Sequence, residues 1–128
     1  MALESETPQM DIAIAHDRIV AIGPNLPATA PQEIDLAGQL VSPPFVESHI
    51  HLDSALTAGQ PRWNQSGTLF EGIDIWRDRK QTLTFEDVTA RAIAALQLQA
   101  RQGVLYVRTH ADVSEPNLLP LKALLAVR

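Results

Sequence analysis

A chain of 128 residues with 45% apolar side chains is long enough for one small domain and apolar enough to bury a core. A net charge of −5 with no clustered basic patch excludes a sequence-independent nucleic-acid surface and an anionic-membrane surface. The lack of cysteine excludes disulfides and thiolate metal ligands; with neither a long apolar run nor a signal-like start, the chain reads as soluble and by default cytoplasmic.

Residues 1–9 are polar and contain Pro8, the pattern of an unanchored end. Ile12 and Ile14, then Val20 and Ile22, alternate with their neighbours on either side of His16-Asp17-Arg18, which predicts a hairpin with strands near residues 11–15 and 18–22. Asp17 belongs in its turn, where a short polar side chain tolerates unusual backbone angles, and His16 reads as a turn residue rather than a ligand. Gly23-Pro24-Asn25, with Pro27 and Pro31, marks an irregular loop. Asp35-Leu36-Ala37-Gly38 predicts a turn between short strands at Glu33-Ile34 and Leu40-Val41, making the first third a small all-β unit.

Pro43-Pro44 punctuates the chain and predicts a domain junction near residue 42. Residues 45–51 are mostly apolar apart from Glu47, Ser48 and two histidines, as in a parallel strand buried on both faces. Side chains alternate along a strand, so His49 and His51 project from one face about 6.6 Å apart; Asp53 continues that face while Ile50 and Leu52 point the other way. Two imidazoles so placed can close on one divalent ion, which makes the pair half of a candidate metal site at a strand end. Gly59, Pro61 and Asn64 make residues 55–66 a loop leaving that end, the place where barrel enzymes gather substrate contacts.

Phe70, Ile73 and Trp76 recur every three residues, with Glu71 early and Arg77, Arg79 and Lys80 late, predicting a helix over about 69–80 in which Trp76 packs. Thr84 as N-cap, an apolar stripe through Val88, Ala92, Ala95 and Leu96, and Gly103 as a left-handed stop predict a second helix of about 18 residues. Glu86, Arg91, Gln97 and Arg101 are assigned to its solvent face, with no role beyond solubility. The β-rich run from Val104 to His110 then completes a right-handed crossover between two parallel strands. His110 therefore falls on the same rim as His51, and Arg108, His110 and Asp112 alternate onto one face, either as a hydrogen-bonded rim or with His110 as a direct ligand. Ser114 as cap and Pro116 in the first turn open a last helix through Leu118, Leu121, Leu124 and Leu125. No third strand follows to cover it, and a barrel takes on the order of 250 residues, so a fragment is expected.

The run over residues 41–72, VSPPFVESHIHLDSALTAGQPRWNQSGTLFEG, resembles the start of the bacterial cytosine deaminases of the amidohydrolase superfamily. Val107-Arg108-Thr109-His110-Ala111-Asp112-Val113 is similar to their second barrel strand. The HxH pair marks only the superfamily, whereas the PPFVE lead-in and the AGQPxWNQSGTLFEG loop mark the deaminase branch.

The resemblance implies an α/β fold: the first strands and helices of a TIM-like (β/α)8 barrel over residues 43–128, preceded by part of a small β-sandwich over residues 1–42, and truncated. It implies one divalent ion per site, iron or zinc, held by His49 and His51 together with a histidine and an aspartate from later strands. A later glutamate moves protons and a later glutamine fixes the pyrimidine, so this chain is expected to hold no catalytic residue of its own and to be inactive alone. Leu69 falls where the family lines its pyrimidine pocket, against a plain reading as a helix-start core residue. Asp53, Arg108, His110 and Asp112 are then the supporting rim. The implied activity is hydrolysis of cytosine to uracil and ammonia, with a small-molecule substrate, no nucleic-acid or membrane partner, and a homo-oligomer when full length. Two departures stand out: His16-Asp17 replaces the family's aspartate-glycine hairpin, and no sandwich strand precedes Asp11, so the chain is expected to be short at both ends. Two other readings stay open, an enzyme for another ring amine or N-alkyl amide of the isocytosine or triazine type, and a non-catalytic fragment or interaction module.

Overall fold

The computed structural model describes residues 8–128, so most of the polar end predicted for residues 1–9 lies outside the described residues. The chain divides into two compact units, Met1–Ser42 and Pro43–Arg128.

In the first unit β1 (Asp11–Ala15) pairs antiparallel with β2 (Arg18–Gly23), as the alternation predicts. His16 and Asp17 both have positive φ, 50° and 60°, the backbone that lets a two-residue turn match the twist of its strands. The Asp35 turn is also present: the Ala37 N–H donates to the Asp35 carboxylate at 2.7 Å and the Gln39 N–H to the Leu36 carbonyl at 2.9 Å. The strands expected on either side of it are not. Glu33-Ile34 and Leu40-Val41 are irregular and exposed, because a short strand is held by its ladder and no third strand pairs with them among the described residues.

In the second unit β3 (Phe45–Ile50) and β4 (Val104–Thr109) form a parallel pair, joined through α1 (Leu69–Lys80) and α2 (Phe85–Arg101), and α3 (Leu119–Val127) follows. Thr68 caps α1 by accepting the Glu71 N–H, and Thr84 caps α2 by accepting the Asp87 N–H. Gly103 ends the α2 segment at φ 84°, and its carbonyl accepts the Phe45 N–H at 2.9 Å, so the turn that stops the helix also starts the sheet.

The core is small and lies around α2, where Val88, Ala92 and Ala95 meet Leu52 from the end of β3 and Ala123 and Leu124 from α3. Alanine at these helix positions lets α2 and α3 approach closely. Two expectations change here. Far from being buried on both faces, β3 exposes Phe45 and Val46, because a two-stranded sheet offers one neighbour and one packed side. The last helix starts at Leu119 rather than near Ser114, because the Ser114 hydroxyl is taken by the Lys80 ammonium at 2.7 Å and the Glu115 carboxylate accepts the Leu119 N–H instead. The architecture is α/β, two two-stranded sheets and three helices among the described residues, with no closed barrel.

Candidate metal centre

The end of β3 is stitched to the end of β4. The His110 N–H donates to the Ile50 carbonyl at 2.8 Å, and the Leu52 N–H to the Thr109 hydroxyl at 3.2 Å. Leu52, just past the end of β3, is drawn into the core and only 3% exposed, while the His51 side chain beside it is about half exposed.

Three imidazoles gather at this rim. The rings of His49 and His51 lie 5.7 Å apart, His51 and His110 also 5.7 Å, and His49 and His110 4.1 Å. With metal–nitrogen bonds of about 2.0–2.1 Å, two ring centres on one ion can stand up to roughly 6.5 Å apart, so the His49–His51 spacing fits a shared ion. His110 is packed against His49 at ring-on-ring distance, and its Nε2 is shut off from solvent with no hydrogen-bond partner. Burial holds its pKa below the ordinary histidine value, helped by neighbouring His49, Arg108 and His51. Among the described residues no group of three or more His, Cys, Asp or Glu side chains is arranged to hold a metal ion. What the chain brings together at this rim is three imidazoles with ring centres 4.1–5.7 Å apart.

Beneath the histidines lies Asp53, 0% exposed. Its Oδ2 accepts the Asp112 N–H at 2.7 Å and its Oδ1 the Ser54 N–H at 3.0 Å, and Oδ1 is 3.5 Å from His51 Nδ1. The Asp112 carboxylate accepts from Trp76 Nε1 and Lys80 Nζ, both at 2.8 Å. Burial pushes Asp112 up, but the bonds from Lys80, Ser114 and Trp76 outweigh it and hold the carboxyl well below its usual range. Trp76 is thus a tether between α1 and the end of β4 as well as a packing residue.

Of the remaining predicted positions, Arg108 is exposed on β4, and Leu69, the first residue of α1, is 76% exposed. An open cleft of about 460 Å³ lies beside the loop after β3, lined among others by Thr57, Gln60, Trp63, Asn64 and Trp76; the three histidines do not line it. Arg91 corrects its assignment to the solvent face. Its guanidinium is held by Asp87 one turn earlier and donates to the carbonyls of Asp53 at 2.9 Å and Ala55 at 2.7 Å, because the loop after β3 folds back over this side of α2.

Residues 32–126 match the family model described as the amidohydrolase family. The chain belongs to the amidohydrolase family. This amidohydrolase chain is 46% identical to 5-methylcytosine deaminase from Klebsiella pneumoniae, solved with phosphonocytosine and with 5-fluorocytosine, at a TM-score of 0.78 over 92% of this chain and 29% of that one. It is 36% identical over 107 residues to N-isopropylammelide isopropyl amidohydrolase of Pseudomonas sp. strain ADP, covering 80% of this chain and 27% of that protein. An adenine deaminase of Deinococcus radiodurans is 39% identical over 46 residues, 36% of this chain and 9% of that one. The chain spans under a third of the length of these relatives.

Proposed function

We propose that the chain is the amino-terminal part of a metal-dependent enzyme that hydrolyses the exocyclic amine of a pyrimidine-type ring, cytosine giving uracil and ammonia. What supports this reading is the pair of imidazoles, His49 and His51, within reach of one ion at the rim of a strand. They sit in a chain 46% identical to a 5-methylcytosine deaminase. In the reaction water oxygen bonds to the ring carbon that carries the amine, the carbon–nitrogen bond breaks, and a proton leaves with the amine as ammonia. His49 and His51 hold the ion, iron or zinc, which when bound lowers the pKa of water toward neutrality. Asp53, Asp112 and His110 keep the rim in place, and Leu69 offers an apolar wall to the ring. Groups that move the proton and grip the pyrimidine come from a longer chain, so these 128 residues alone are inactive.

In the complete protein residues 43–128 are the first two β/α units of a (β/α)8 barrel, residues 1–42 part of a small β-sandwich, and the assembly is a homo-oligomer. The similarity to an N-isopropylammelide isopropyl amidohydrolase favours a second reading, the same half-site acting on an N-alkyl substituent or a triazine-type ring. The test is ammonia release from cytosine by the metal-loaded full-length protein. Turnover of cytosine supports the first reading, and turnover only of isocytosine or triazine substrates supports the second. Inertness toward all of them contradicts both.

A further inference from the structure

Asp53 is the most deeply buried charged side chain among the described residues. A carboxyl removed from water is costly unless its oxygens are satisfied, and both are: Oδ2 by the Asp112 N–H and Oδ1 by the Ser54 N–H. Its own backbone is pinned as well, since the Asp53 carbonyl accepts from Arg91, whose guanidinium is clamped on Asp87. The carboxyl is therefore fixed by two hydrogen bonds and its backbone by a third, and Oδ1 lies 3.5 Å from Nδ1 of His51. Among the described residues no carboxylate comes as close to the ring of His49.

A neutral imidazole carries one N–H, and which nitrogen bears it is set by what that nitrogen faces. The carboxylate oxygen nearest His51 Nδ1, at 3.5 Å, already serves as an acceptor for the Ser54 N–H. We propose that Asp53 is a positioning residue for His51: it draws the ring proton to Nδ1 and so leaves Nε2 as the lone-pair nitrogen directed to the metal. This rests on reading His51 as a ligand. The burial of Asp53 then has a purpose beyond joining two strand ends: its orientation is transmitted to the ligand, in the way outer carboxylates orient metal-binding histidines generally.

The test is nitrogen-15 NMR of the histidine rings in the metal-free full-length protein, followed by zinc titration of the wild type and of Asp53→Asn. The expected result is His51 protonated at Nδ1 and bare at Nε2. In Asp53→Asn the amide oxygen can keep the short bond to Asp112 while the NH2 takes the place of Oδ1, giving up the Ser54 bond and lying beside His51; the ring then switches tautomer and zinc affinity falls about 10- to 100-fold. A wild-type His51 protonated at Nε2 overturns the proposal, and so does an Asp53→Asn protein with unchanged tautomer and zinc affinity. Should Asp53→Asn fail to fold, the wild-type tautomer decides alone. A wild type with the expected tautomer that takes up no zinc contradicts the metal-site reading and leaves the Asp53–His51 relation standing, so the two failures are distinguishable.

Discussion

Asp53 and Arg91 meet at one backbone carbonyl, so the rim that carries His51 is anchored in the middle of α2. Arg91→Ala removes two charged-donor hydrogen bonds, leaves the Asp53 and Ala55 carbonyls short of a partner, and frees Asp87 from one of its two guanidinium neighbours. The expected loss of stability is about 2–3 kcal/mol in a urea unfolding titration of the full-length protein, and Arg91→Lys recovers part of it through a single donor. A midpoint unchanged by Arg91→Ala contradicts the anchor. Asp87 carries the matching pH signature. Its carboxyl is held below the ordinary value of 3.8, chiefly by the Arg91 hydrogen bond. That stabilisation is complete above the unfolded-state pKa and disappears as pH falls through the lowered one. The acid limb is therefore shallower in Arg91→Ala than in the wild type. At this scale the period of two is legible for β3 as far as Ile50; His51 and Asp53 lie beyond its end, in the turn that follows, where alternation no longer fixes which way a side chain points. Arg91 is not legible in the same way. Helical spacing gives its angle around α2 and its i,i+4 relation to Asp87, but nothing in a period announces a loop folding back over that face.

Among the elements, the last part of the segment between β3 and α1 is tied to the helix by the Glu71 carboxylate. Glu71 stands three residues after the Thr68 cap, the spacing of a capping box, yet its carboxylate reaches past the cap to the Ser66 hydroxyl and the N–H groups of Gln65 and Ser66. The Ser66 hydroxyl bond first, then the Gln65 and Ser66 amides, lower its pKa from 4.5 to about 2. Because the folded value is the lower one, this lock is fully present above about pH 4.5 and is lost as pH falls toward 2. Amide exchange at Gln65 and Ser66 is expected to quicken across that window in the wild type and to be fast and pH-insensitive, apart from intrinsic exchange, in Glu71→Ala. Protection that survives in Glu71→Ala contradicts the lock. The bounds of α1 and α2 are readable because their caps, Thr84 and the Gly103 stop above all, are local signals. For α3 the local signal misleads, since Ser114 is diverted to Lys80 by a contact 34 residues away in sequence. Gly103→Ala isolates the stop: a Cβ there meets Phe45 only at an ordinary 3.6 Å, so the expected cost, about 1–2 kcal/mol, is the strain of φ 84°.

At the scale of the molecule, the second unit carries β3 and β4 as a single parallel pair with Phe45, Val46, Leu105 and Tyr106 exposed, and its α1 presents Leu69 and Phe70 to solvent. Parallel edges and uncovered apolar faces associate in water. The isolated 128-residue chain is expected to aggregate or oligomerise on size-exclusion chromatography, and a monodisperse monomer with a cooperative melt contradicts that. The parallel order of β3 and β4 is legible in the strand–helices–strand pattern; the contacts that would cover their outer faces are not, because the fold of this chain supplies no partner for them among the described residues. The proposed ion rests on the family relation and on the 5.7 Å spacing of the His49 and His51 rings. The direct measurement is metal content per subunit of the full-length protein, with His49→Ala and His51→Ala beside the wild type. About one divalent ion in the wild type and loss of it in each variant is the expected result; normal metal in both variants removes these histidines from the site.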